Sequence, residues 1–520
     1  MNGMRRKIEY LMKSPLTGML ALLILFVSGT AQAAVPGITG PTFNLVASTG
    51  YISQPDGQMV YAWGYGCDGS PAGFAPAAIL GANCDPMQIP GPTLIVTEGQ
   101  TVTVNLRNNL PAGAGNTSIL FPGFQVTSSG GEAGVLTQEA IPGGSVTYTF
   151  TASSPGTRTY YSGTRGDLQI EMGLFGAVIV LPSSVPANCN NGLAAKNLAA
   201  EATWGEADFR LAHAAYDHPA TCYDREYLFQ FSEMDPAIHK QAEAQSGIIC
   251  TDHGGCLQVA TEPYRPAYFM INGRSMPDLM DPNYAPHYLH QPYNGNPHLH
   301  PGELVLVRVT GTGRWQHPFH EHGNHLRTLA RDGNLILSQS DPTKLAGPLL
   351  FTTTTTPGQA YDGIFQWTGK GLNWDVFGHG YPGDTSVCVP DSNGYYTSVP
   401  SAINYYEWCQ DHNKPLEKAP FGSVGSGGPV TLPDPNIFTN GIWYGGSPYL
   451  GPDATVRSVG TTGTTPPSGT VANSPSSEAA FGFMWHSHNE RELTTDNIFP
   501  GGMMMIMLVD SREFVIDESK

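Results

Sequence analysis

Two short clusters carry the residues of this 520-residue chain best suited to chemistry: His317-Pro318-Phe319-His320-Glu321-His322-Gly323 and Trp485-His486-Ser487-His488. Alternate side chains of an extended strand share a face, so His320 with His322 and His486 with His488 each form a two-nitrogen claw. Together the claws offer four imidazoles to a transition metal. Imidazole nitrogen suits copper or zinc, and the divalent affinity order favours copper. Pro318 bends the strand and lets His317 face a separate position. Met503 could add a soft thioether, although Met503, Met505 and Met507 on one strand face also make an ordinary sheet core. Ser487 stands between two histidines where a cysteine would have supplied a thiolate, so no coloured electron-transfer copper is expected. The bland alternative is a set of histidines bonded to carboxylates, backbone or water.

Other histidines are weaker candidates. Gly323 and Asn324 turn the chain before His325, while His287, His290, His298 and His300 lie in a proline-bordered stretch that reads as loop. Tyr160, Tyr161 and Trp485 could pass electrons near a metal, but aromatic packing is the simpler role.

These residues need strands to hold them. Thr93–Val96, Thr101–Val104, Val146–Phe150 and Ala177–Val180 alternate with period two or run apolar between Pro/Gly punctuation. So do Tyr227–Phe231, Tyr268–Ile271, Leu304–Val309, Phe481–His488 and Met503–Asp510. With 43 prolines and 62 glycines, long helices have little room, and antiparallel β-sandwiches follow. Residues 352–356 read as strand material entering a turn, 380–430 as loop-rich, and 460–477 as an exposed excursion. The chain divides into a leader at 1–33, a first domain at 35–183, a second at 195–375 carrying the first histidine cluster, and a loop-rich third region, partial or complete, at 376–515 carrying the second.

Arg5, Arg6, Lys7 and Lys13 precede an apolar run, and Ala31-Gln32-Ala33 has the form of a signal-peptidase site. Export to the periplasm or medium, or to the cell surface, is the expectation. No later segment is apolar for the roughly 20 residues a bilayer requires. The chain carries 25 basic and 43 acidic residues, and the leader takes four of the basic ones and only Glu9 of the acids. Such a field disfavours nucleic acid and anionic lipid as partners. The eight cysteines of an exported chain read as up to four disulfides, with Cys67–Cys84 and Cys250–Cys256 the plausible local pairs.

The whole arrangement resembles the multicopper oxidases, most clearly over residues 88–182, 223–335 and 481–510. Ile89-Pro90-Gly91-Pro92-Thr93, Glu98-Gly99-Gln100, Thr137-Gln138, Ile141-Pro142-Gly143 with Tyr148, and Gly173-Leu174-Phe175-Gly176-Ala177 are similar to the family's first-domain pattern. His317–Gly323 matches its third copper-binding motif, whose first histidine serves a blue copper and whose other two serve a trinuclear cluster. The resemblance implies an all-β fold of tandem cupredoxin-like Greek-key β-sandwich domains with long loop insertions. Its departures matter equally. Leu120-Phe121-Pro122-Gly123 stands at the first motif and Tyr161-Ser162-Gly163 at the second, neither with a histidine. At the fourth, Ser487 replaces the cysteine and Glu492 the later histidine, which brings Glu492 into the candidate ligand set.

The ordinary relay from a blue copper to three further coppers therefore lacks its entrance and half its histidines. The expectation is an exported copper protein with a reduced, histidine-ligated site built from His317, His320, His322, His486, His488, Glu492 and Met503. If an oxidoreductase, it uses oxygen or a small redox donor. The alternative is a noncatalytic copper storage, binding or envelope protein that retains the oxidase fold.

Overall fold

The computed structural model describes residues 34–190, 205–250, 253–370, 389–402, 404–410, 446–447, 481–512 and 514–519. The expected leader, one of the eight cysteines (Cys388), most of 380–430 and the 460–477 excursion lie outside them.

Strands at period two build a first sandwich. One sheet orders Gly156–Tyr161, Phe175–Leu181, Leu94–Thr97, Gly37–Thr39 and Phe74–Ala75; the other orders Met59–Cys67, Thr42–Ser53, Thr101–Asn108, Ser145–Thr151 and Thr127–Gly130. In the second sheet Val102, Val104 and Leu106 lie opposite Phe150, Tyr148 and Val146, and all six are buried. A one-residue slip would turn this apolar set to the wrong face. Each such side chain contributes about 1.5–3 kcal/mol on burial, which holds the register.

The second sandwich carries the histidines. Its outer sheet contains Tyr268–Ile271, Arg225–Met234, Leu304–Gly311, Ala360–Gln366, Leu326–Arg331 and two short edge strands. The facing sheet orders His298–Leu299, Met504–Val509, Phe481–Ser487, His317–Glu321 and Thr352–Thr355, with Gly446–Ser447 pairing Phe481–Ser487. Phe229, Phe231, Val307, Phe319, Phe483, Trp485, Met505 and Met507 fill the space between. Residues 481–509, expected in a third region, thus contribute two strands to the same sheet as the first histidine cluster.

The all-β expectation holds, but the sheets are mixed and not purely antiparallel. Leu94–Thr97 pairs in parallel with Phe175–Leu181, and Arg225–Met234 with Leu304–Gly311. Arg225–Met234 is buried along its whole length; a strand covered on both faces suits parallel pairing and loses the alternation that sequence patterning reads.

The two sandwiches meet along Gly156–Tyr161. There the Thr157 amide and hydroxyl donate to Asp362 at 3.1 and 2.6 Å, and Arg308 donates to Thr157 Oγ1 at 3.1 Å and Glu226 at 2.9 Å. Disulfides join Cys67 to Cys84, Cys189 to Cys222 and Cys250 to Cys256, and no described cysteine is free. Among the described residues, no helix is long and apolar enough to cross a membrane.

Candidate metal centre

Antiparallel pairing of His317–Glu321 with Phe481–Ser487 sets His320 directly opposite His486, Phe319 opposite Ser487 and Glu321 opposite Trp485. Parity then sorts every nearby side chain. Phe319 and Trp485 point into the sandwich core, so His320, His322, His486 and His488 share the other face.

On that face His320, His322 and His486 bring one ring nitrogen each within 4.8 Å of one another. Ring centroids lie 4.9 Å apart for His320 and His322, 5.3 Å for His320 and His486, and 5.1 Å for His322 and His486. All three residues are buried. His488 lies 4.7 Å from His320 by centroids, yet its side chain is 46% exposed and near Glu490. It forms the solvent rim of the cluster.

Second partners orient the rings. His486 Nδ1 donates to the Ser487 carbonyl at 2.7 Å, which leaves the Nε2 lone pair directed at His322 Nε2, 3.2 Å away. Two nitrogens bound about 2.0 Å from one tetrahedral ion stand roughly 3.3 Å apart. The donor spacing therefore fits a shared metal. His320 Nδ1 shares a hydrogen bond with Thr352 Oγ1 at 2.6 Å, the kind of outer contact that fixes a ligating imidazole. Burial, then the charges of the other three imidazoles, push His320 down to about 3. Burial likewise lowers His486. Rings that resist protonation keep lone pairs available to a cation.

The rest of the expected ligand set lies elsewhere. His317 has the parity of Phe319 and is buried between two carboxylates, with Nε2 3.0 Å from Glu233 and Nδ1 2.9 Å from Glu492. Burial opposes its charge, but hydrogen bonds to both glutamates lift its pKa to about 9. Ser487 Oγ donates to Glu492 at 2.5 Å and Asn489 to its other oxygen at 2.9 Å. Where a blue copper would need a thiolate and free imidazoles, this chain has an ion-paired, hydrogen-bonded knot. His317 and Glu492 thus lie on the other face of the strand pair, apart from the three-histidine cluster. Met503 is buried in the core with Met505 and Met507, because Met504 is the residue opposite His486.

Other candidates are placed without ambiguity. His298 and His300 are buried, and they engage Asp510 at 2.8 Å and Glu206 at 2.7 Å respectively. Glu206, His300 and Glu303 form a second group with metal-like spacing. The Arg225 guanidinium already sits 2.6 Å from both glutamates, and a cation there would face its repulsion. Trp485 is core, its indole donating to the His322 carbonyl at 2.9 Å. Leu120 and Tyr161, at the two motif positions without histidine, bridge each other, the Leu120 amide donating to the Tyr161 carbonyl at 2.8 Å.

Sequence patterning missed Thr352 and Glu233. Thr352 could have been sought in the threonine run as a polar cross-strand partner for His320. Glu233 was marked only by a charge ending the apolar run that starts at Tyr227.

Parts of the chain are similar to known proteins. Residues 72–185 match a multicopper oxidase family model. The iron transport multicopper oxidase FET3 of Gibberella zeae is 41% identical over 102 residues, 19% of this chain and 16% of that protein. Multicopper oxidase MCE of Talaromyces pinophilus is 35% identical over 124 residues, 22% of this chain and 20% of that protein. The matches thus span a fifth or less of those relatives, whose names describe those proteins alone. The blue copper oxidase of Nitrosomonas europaea overlays 90% of this chain and 85% of its own, at 14% identity and a TM-score of 0.44. Copper is the metal of the family. With its H-P-F-H-E-H-G motif and the matched segment at residues 72–185, the chain is similar to the multicopper oxidases.

Proposed function

We propose that this chain is an exported copper protein that holds its metal through His320, His322 and His486, with His488 at the solvent side, and acts as an oxidoreductase without a blue centre. The observation that carries the reading is the 3.2 Å approach of His486 Nε2 to His322 Nε2, with His486 Nδ1 committed to a carbonyl. Copper would supply one-electron chemistry and an open position for oxygen or a small donor. The protein's part is positional. Thr352 and the Ser487 carbonyl orient the rings, the buried strands exclude water from three of them, and His488 marks the accessible side.

Metal analysis and EPR on protein purified without added copper test the site. Stoichiometric copper without an intense thiolate-to-copper band is expected, because Ser487 cannot donate as a thiolate. His320→Ala and His486→Ala should each remove most of it, and unchanged copper content would sink the assignment. Oxygen uptake with phenols, metal ions or Cu(I) then tests catalysis. Copper-loaded protein with no uptake from any of them would make this a binding or storage protein.

A further inference from the structure

We propose that a cavity of about 330 Å³ on the outer sheet of the second sandwich binds a small organic carboxylate of aromatic size. Leu304, Leu329, Leu345, Leu349 and Ile364 form its walls. Its volume and apolar lining are those of a small-ligand site, which such sites complete with a few placed polar groups.

Here the charged group is cationic. Arg327 lines the cavity, and its Nη1 donates to the Gly347 carbonyl at 2.9 Å. That contact anchors the guanidinium without neutralising it. Among the described residues no carboxylate pairs with Arg327, and none lines the cavity. In a chain of net charge −18, an uncompensated, half-buried guanidinium over apolar walls selects an anion with an apolar body. A planar carboxylate matches its donor fork. The other polar lining groups are largely committed: Asn324 donates to the Gln366 carbonyl and Gln366 to the Gly302 carbonyl, at 2.7 and 2.8 Å.

His325 also lines the cavity and ties it to the metal centre. Its ring lies 5.3 Å from Phe351 by centroids, and Phe351 lies 5.7 Å from His320. One aromatic ring therefore separates the ligand's wall from the cluster. Carboxylate binding needs no metal and stands apart from the copper reading.

Calorimetric titration of the metal-stripped full chain with benzoate, neutral benzamide and inorganic phosphate is the test. Benzoate should saturate one site at least about tenfold more tightly than either of the others, as expected for a charge-assisted pair. Arg327→Gln should weaken benzoate about tenfold and leave benzamide unchanged, while Arg327→Lys restores part of the affinity. Leu349→Asp, at an exposed wall position, should repel benzoate without disturbing the fold. In NMR, the His325 ring protons should shift on binding. Equal affinity for benzoate and benzamide, tighter phosphate binding, or an unmoved His325 signal would overturn the proposal.

Discussion

His320 meets three demands that a metal ligand makes of one side chain. It is buried, its Nδ1 is held by Thr352, and its surroundings keep it neutral down to about pH 3. Thr352→Val should remove the hydrogen bond at nearly constant volume. Losses of 10- to 100-fold are usual for such outer partners, so copper affinity should drop about tenfold or more in a chelator competition, with little change in melting temperature. Three residues earlier, His317 shows the opposite electrostatics. Its folded pKa of about 9 lies above the ordinary value of 6.5, so between those pH values the folded chain binds more protons than the unfolded one. Stability from this group is complete below about pH 6.5 and is lost as pH rises through about 9, a swing on the order of 3 kcal/mol. Thermal melts at pH 7 and 9.5 should show the loss. His317→Gln should flatten that pH dependence while lowering stability overall, since it leaves two buried glutamates without their cation.

At the scale of elements, one strand pair decides the chemistry. The register that sets His320 against His486 also sets Phe319 and Trp485 into the core. Histidine face and packing face are therefore one commitment, and a slip would destroy both. Trp485 links them further through its indole bond to the His322 carbonyl. Trp485→Ala should cost about 3–5 kcal/mol, in the range for a large core aromatic. It should also lower copper affinity, unlike Phe150→Ala in the first sandwich, which should destabilise without touching the metal. Denaturant melts paired with copper titration separate the two effects.

Across the whole molecule, the sandwiches are joined by buried polar contacts as well as apolar ones. Asp362 accepts from Thr157 and from Tyr216 and lies 3.6 Å from Arg308. Asp362→Ala would strand those donors and take from the buried Arg308 one of its two carboxylates, leaving Glu226. A loss of roughly 2–4 kcal/mol is expected, with earlier protease cleavage between the sandwiches. The C-terminal residues add a further tie, with the Leu80 amide donating to the Ser519 carbonyl at 2.7 Å and Tyr227 to Glu518 at 2.6 Å.

Local sequence was enough to specify the sandwiches, the two histidine claws and the impossibility of a thiolate at Ser487. Period-two burial, H-x-H spacing and the identity of one residue all act within a single strand. Which ligands meet was a matter of tertiary pairing. Residues 320 and 486 become neighbours through long-range strand contacts, whose register local patterning does not specify. The same pairing turned Met504 toward His486 and Met503 away from it. Glu233 lies 84 positions from His317, and only folding brings these two buried groups together as an ion pair. Burial and charge are properties of the packed whole: of the seven expected ligands they gather three histidines with His488 at the rim, set His317 and Glu492 in a separate proton-holding knot, and leave Met503 in the core.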